Sequence, residues 1–484
     1  MQHLKFKPVV KIIGVLLMIE GLFMCSAIPF SLYYGGKDFM PIIISVLITF
    51  FTGLSLWFII RKYRQQDIGR REGYLIVSII WVIMSVFGAL PFYLSGYIPH
   101  FTDAYFETIS GYTTTGASIL TDIEALPKGL LFWRSLTHWI GGMGIIVLSI
   151  AILPFLGFGG QQMFWAEVPG PDKEKLTPRI SVTARRLWGI YLIMTIALIV
   201  LLMFGKMPFY DAVCHAFGAV SSGGFSPKNT SIALYSPYIQ YVIVLFMFLA
   251  GTNYTLFYIA MKGNFKKAFA GIEFKTYLGI ILISTLIIAA ALFVKNSYSI
   301  EAAFRSSLFQ VTSIVSCTGY ATDDYMLWPG FAWFIIFLLM FSGGMAGSTA
   351  GGIKVIRHVL LFKNVSVVFK KTWHLNAIIP LRIDGKAVKE LVMQNVFALF
   401  VLYIITFGFG SLMLTATGLE THAAMGSVAT CMAGIGPGLG STGPVGNFAH
   451  LTDFAKWVLS FLMLLGRLEL FSLFILLRPA FWKQ

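Results

Sequence analysis

The sequence predicts an all-α polytopic membrane protein: about ten transmembrane helices, with an N-terminal helical hairpin followed by four helix–pore loop–helix repeats around one pore. Three observations lead there. The 484 residues are 57% hydrophobic and only 12% charged, with 44 Phe, far from a soluble globular average. Apolar runs of about 20 residues recur, the length a helix needs to cross about 30 Å of hydrocarbon. A small glycine-bearing tract returns four times, roughly every hundred residues, each time between two such runs.

In chain order, the apolar runs fall near 9–33, 40–60, 74–97, 130–156, 187–205, 238–261, 276–294, 331–360, 391–417 and 454–477. The first follows a basic start and is longer than a signal-peptide core, so it reads as a retained helix. With the N-terminus in the cytoplasm, segments 1–11, 61–72, 158–187, 262–275, 354–389 and the C-terminal tail share one side. Together with Arg467 they carry more than three quarters of the 36 Lys and Arg, the bias expected of cytoplasmic loops. Both termini are then cytoplasmic. The net charge of +15 becomes a property of the inner surface, suited to lipid or a cytoplasmic partner, and no nucleic acid partner is expected. Cys25, Cys214, Cys317 and Cys431 are scattered without zinc or redox spacing and read as free thiols.

Segments 101–120, 209–226, 301–322 and 420–440 are too short or too polar to span. They end in TTTGAS (113–118), SSGGFS (221–226), SCTGYA (316–321) and AGIGPG (433–438), which align Gly116, Gly224, Gly319 and Gly436. A helix of about ten residues fits before each tract. The predicted units are a hairpin at 1–72 and repeats at 73–157, 158–262, 263–372 and 373–484, the third containing an intramembrane gating loop. Non-helical backbone at membrane depth is tolerated only where it is buried in protein or lines a watery path. Four such stretches meeting on one axis would stack carbonyl oxygens that replace the water around a cation. Glycine suits the centre because such a backbone needs torsions, including positive φ, that a side chain disfavours. One small-residue tract alone would read as a helix-packing surface; four in register point to a filter.

The run FSGGMAGSTAGGIKVIR (341–357) interrupts the second helix of the third repeat with Gly343, Gly344, Gly347, Gly351 and Gly352, which weaken a helix. It is expected to be a loop beneath the filter that gates the pore. No Gly-Lys-Ser or Gly-Lys-Thr follows, so it is not a phosphate loop. Lys354 is a weaker gate candidate, with reach to snorkel to the cytoplasmic interface. Arg467 falls near the middle of the last run, where a charge marks a functional site by default. Glu469, two residues on, does not face it on a helix. Arg467 is expected to project below the filter. Glu107, Asp103, Asp211, Glu301, Asp323 and Asp324 fall on the outer side and together suggest a negative vestibule. His138, His215 and His422 show no ligand spacing and receive no role.

These tracts, with HWIGGMGIIVLSIAILP (138–154), GGMAGSTAGGIKVIR (343–357) and LLGRLELFSLFILL (464–477), resemble the TrkH/TrkG potassium uptake proteins of the TrkH/KtrB/HKT superfamily of K+ transporters, over essentially the whole chain. The resemblance implies one pore per subunit, a homodimer in the bacterial inner membrane, and K+ as the transported ion with no organic cofactor. It also implies a cytoplasmic nucleotide-binding RCK partner of the TrkA type. Carried onto this chain, the filter uses the backbone of Thr114, Thr115 and Gly116; Ser222, Gly223 and Gly224; Cys317, Thr318 and Gly319; and Gly434, Ile435 and Gly436. Family members with Ser at the first glycine lean toward sodium, and this chain has none there. Its departures are Cys317 and the Ala-Gly-Ile of the fourth repeat. The competing class is an ion-coupled (H+ or Na+) secondary transporter, whose signature is inverted repeats; four units of the same orientation favour a pore. No Ser/His/Asp set or HExxH suggests an enzyme.

Overall fold

The computed structural model describes residues 6–61, 70–144, 180–295, 298–374 and 377–483. Helices dominate, as a bilayer requires of backbone with no water to bond. The strands among the described residues form a two-residue antiparallel pair, Arg382–Ile383 with Lys386–Ala387, on the segment expected to be cytoplasmic.

The N-terminal hairpin packs Phe6–Cys25 along Phe39–Ile60. Gly14 and Gly53 set the crossing: a Cβ on Gly14 would lie 2.7 Å from the Gly53 carbonyl oxygen, and one on Gly53 2.8 Å from the Met18 amide. Small residues let membrane helices approach this closely.

Among the described residues, six stretches are long and apolar enough to span as they stand: Phe6–Tyr33, Phe39–Ile60, Arg71–Leu94, Ala184–Phe204, Ile272–Lys295 and Glu390–Thr415. Two runs read as single spans are bent instead. Pro237–Ala250 and Tyr254–Met261 meet at 98°, and Asp453–Arg467 and Phe471–Leu477 at 116°. At the first bend Asn253 accepts from the Thr255 amide at 2.8 Å and starts a new helix. At the second, Glu469 and Leu470 take left-handed torsions, φ 55° and 57°. The Glu469 carboxylate thereby reaches Arg357 at 2.5 Å. The 331–360 run divides as its glycines predict, into Gly330–Leu339, a loop through Lys354, and Val355–Trp373. The 130–156 run begins as Lys128–Gly142. Residues 145–156 of that run, which include most of the 138–154 motif, and the basic segments 62–69 and 158–179 lie outside the described residues.

Between the spans sit four short helices, Phe101–Tyr112, Phe209–Ser221, Ile300–Val315 and Thr421–Ala433. They run 12 to 16 residues, longer than the ten expected. Pro208 precedes the second, and the Ser299 hydroxyl caps the third by accepting from Ala302 N at 3.2 Å. Nearly every residue of their inner halves is buried. One apolar core joins the hairpin, the first repeat and the fourth, while two others centre on the third and second repeats and draw residues from the pore helix and tract of the next repeat, Ala433 and Ile435 in one and Phe309 and Tyr320 in the other.

Candidate functional site

All four short helices stop in the same way. The amide of the residue just before each tract glycine bonds back to a carbonyl five residues earlier: Thr115 to Ser110 at 2.9 Å, Gly223 to Gly218 at 2.8 Å, Thr318 to Ser313 at 2.8 Å and Ile435 to Thr430 at 3.0 Å. The backbone then turns left-handed twice. Thr114, Ser222, Cys317 and Gly434 have φ of 54°, 58°, 56° and 69°, and Gly116, Gly224, Gly319 and Gly436 have 82°, 79°, 78° and 103°. Three non-glycine residues held in that region store strain that the surrounding packing must sustain. In the first and third tracts the threonine hydroxyls are drawn back toward their own helix, Thr113 to Thr115 and Ser316 to Thr318, each 2.8 Å between oxygens.

The tracts close on one another in a ring. A Cβ on Gly116 would collide with the carbonyl oxygen of Gly223, one on Gly224 with that of Thr318, and one on Gly319 with that of Ile435. A Cβ on Gly436 would sit 2.9 Å from the Thr115 carbonyl oxygen, completing the circuit. The same four glycines face one cavity of about 220 Å³. The C-terminal, partially negative ends of four helices therefore meet where backbone oxygens gather, an arrangement that favours a cation.

Beneath the ring lies the glycine-rich loop. Its Met345 amide bonds the Gly251 carbonyl at 2.8 Å and its Gly347 carbonyl accepts from Tyr254 at 3.1 Å, so it is stitched to the bend of the second repeat. The Thr349 hydroxyl meets that of Ser222 at 2.8 Å. Gly351 packs against the Ala433 carbonyl, and Gly352 approaches Cys317 Sγ. The loop thus touches the second, third and fourth tracts. Arg467 reaches the first: it donates to Thr114 Oγ1 at 3.4 Å, to the Thr349 carbonyl at 3.4 Å, and to the carbonyls of Gly141 and Gly142. Lys354 does not snorkel; it is buried and donates to the Ala350 carbonyl inside the loop. Burial of a lysine is tolerated only with such a partner.

The outer acids do not form the vestibule expected of them. Glu107 is buried against Arg134 at 2.6 Å, and Asp103 is held by Lys456 at 2.5 Å. Asp211 is buried, Asp323 accepts from Tyr298 at 2.7 Å, and Asp324 caps a short turn by accepting from Met326 N. Glu301 pairs with Arg305 at 2.7 Å. The cavity instead touches Arg134 and Lys228 among charged side chains. Sequence reading missed Arg134 because its partner lies on another helix; only the outward position of both residues hinted at it. His138 and His215, given no role, are buried behind the ring, with His138 Nδ1 2.8 Å from the Gly111 carbonyl. His422 is exposed beside Glu420.

A helical membrane protein whose chain closes four backbone tracts into one ring belongs by class among transport proteins. The family model described as TrkH, cation transport protein, matches residues 39–484. The chain is 37% identical to the Trk system potassium uptake protein TrkH of Salmonella typhimurium, over 99% of this chain and all of that one. It is 35% identical to the Trk system potassium uptake protein TrkG of Escherichia coli, over 97% of both. The crystal structure of the potassium transporter TrkH from Vibrio parahaemolyticus superposes with a TM-score of 0.88 at 36% identity, covering 99% of this chain and all of that one. The chain belongs to the TrkH family of cation transport proteins, and it is a multi-pass membrane protein.

Proposed function

We propose that this protein takes up potassium across the bacterial inner membrane, with both termini in the cytoplasm. The ions pass through a filter built from Thr114–Gly116, Ser222–Gly224, Cys317–Gly319 and Gly434–Gly436. The observation that carries the reading is the closed circuit of glycine-to-carbonyl approaches among the four tracts. Rings of backbone oxygens stand in for the hydration shell of a cation. The names of the relatives supply the ion. K+ is cargo, and no organic cofactor is assigned.

The gate in this reading is the loop containing Gly343, Gly344, Gly347, Gly351, Gly352 and Lys354, together with Arg467. They lie directly below the tracts and put a cation where a conducted ion must pass. The chain divides into the hairpin 1–72 and repeats 73–157, 158–262, 263–372 and 373–484. Two copies form a homodimer, and a nucleotide-binding RCK protein of the TrkA type engages the basic cytoplasmic face, whose charge suits an acidic partner surface.

The test is potassium and sodium flux into liposomes holding the purified protein, wild type beside Gly116→Ser. Potassium preference in the wild type that collapses in the variant supports the filter. Flux that requires an imposed proton gradient and ignores the substitution overturns it.

A further inference from the structure

The ring has a second regularity behind it. Glu107, His215, Gln310 and Ser427 each stand nine residues before the glycine of their tract, and all four are buried. Each is chemically different, yet each bonds the chain two to six residues beyond its tract glycine. Glu107 accepts from Ser118 Oγ at 2.9 Å and from the Ile119 amide at 2.9 Å. His215 Nε2 lies 3.0 Å from Ser226 Oγ. Gln310 donates to the Asp323 carbonyl at 2.8 Å, and the Ser427 hydroxyl lies 2.8 Å from that of Thr442. One helical position thus ties the outgoing strand back to the pore helix in every repeat. Left-handed tracts with no helix or sheet of their own need such anchors to stay in a single shape.

The first anchor is joined to the second repeat by a buried guanidinium, where the second is joined to the third by the Tyr320 hydroxyl, which donates to the His215 carbonyl at 2.9 Å. Arg134 gives Nε to Glu107 at 2.6 Å and Nη1 to the carbonyl of Ser226 at 3.0 Å. Its guanidinium lies 3.5 Å from the ring centre of Phe225, the residue next to Gly224. It is 2% exposed, and it borders the cavity above the ring. A planar fork can hold two acceptors in fixed directions while its face stacks on an aromatic ring; an ammonium on a flexible stem cannot.

We propose that Arg134 is a positioning residue for cation discrimination. By gripping Glu107 of the first repeat and the Ser226 carbonyl of the second, it fixes the spacing between two neighbouring tracts and so the size of the oxygen ring. This rests on the filter reading given above. Arg134 touches no tract carbonyl of Thr114–Gly116 itself, so its effect passes through the strands it holds.

Arg134→Lys keeps the charge beside Glu107 and removes the second grip. Potassium and sodium fluxes into liposomes, each normalised to assembled protein, give the readout. The expected result is a potassium-to-sodium ratio lowered roughly tenfold, equivalent to about 1.4 kcal/mol, with potassium flux largely retained. A purely structural role would reduce assembled protein and leave the ratio unchanged, and an unchanged ratio overturns the proposal. Should Arg134→Lys fail to assemble, Ser118→Ala, which removes one bond to Glu107, decides: a lowered ratio supports the anchor and an unaltered one overturns it. A wild type without ion preference would instead overturn the filter reading, which separates the two failures.

Discussion

The ring and the layer below it are built on opposite plans. In the ring, four unlike sequences converge on one backbone: the same return hydrogen bond, the same pair of left-handed residues, the same approach of glycine to the next carbonyl. One layer down nothing repeats. A glycine-rich loop comes from the third repeat, an arginine from the fourth, and a bend of the second holds the loop in place. On the filter reading proposed above, an oxygen cage for an ion demands equivalent ligands around an axis, and a regular backbone suits that role. On the gate reading proposed above, a barrier needs only to obstruct and to move, and a single unrepeated element suffices for that.

The comparison breaks most sharply at a ring glycine. Alanine at Gly319 must adopt φ near 78° and places its Cβ on the Ile435 carbonyl. The torsion alone costs roughly 1–2 kcal/mol, and the collision displaces a carbonyl of the proposed filter. Potassium flux per assembled protein should fall roughly a hundredfold, about 2.8 kcal/mol of barrier. Gly96 sets the scale: it has φ 74° with nothing within 4 Å of its Cβ position. Gly96→Ala therefore carries the torsional cost without the collision and should leave flux near wild type. Equal losses at both positions would mean that torsion, not the ring, dominates.

The next largest effect is expected one layer below. Arg467→Gln removes the charge of the proposed gate while leaving a side chain that can still donate to the Thr349 and Gly142 carbonyls. Uptake without a cytoplasmic partner should rise roughly tenfold, about 1.4 kcal/mol, with the potassium-to-sodium ratio unchanged. A fall in uptake would assign Arg467 to holding the loop together instead of opposing ions.

What the sequence disclosed follows the same division. The four tracts were legible because a repeated backbone shape repeatedly demands small residues, so Gly116, Gly224, Gly319 and Gly436 align without reference to coordinates. The loop was legible from its glycines. The bend at Leu468–Leu470 was not, since no proline or glycine marks those three positions and the run remains apolar across them. It is held by the pairing of Glu469 with Arg357, a contact between distant chain segments that periodicity cannot register. The outer acids were misread for the same reason. Asp103 and Lys456 are separated by most of the chain, and without that pairing Asp103 looks like a free vestibule charge.

The seam between the first and second repeats offers the finest test, because it has a dry half and a wet half. Arg134 spans the dry half. On the wet half, Lys228 meets Glu124 at 3.1 Å, and Asn229 donates to Asp122 at 2.8 Å, all at the exposed outer rim. The hydrogen bond from Lys228 holds the Glu124 carboxyl below its ordinary range. A depressed carboxylate contributes stability above the ordinary value, and that contribution is lost as pH falls through the depressed one. Solvent screens the pair, and exposed ion pairs are worth about 0.2–1 kcal/mol. Glu124→Gln should therefore lower thermal stability at neutral pH by less than about 1 kcal/mol. The difference from wild type should vanish in acid, and the ion ratio should stay where it was. A loss of selectivity as large as that expected for Arg134→Lys would show that the rim, and not the buried guanidinium, sets the spacing of the tracts.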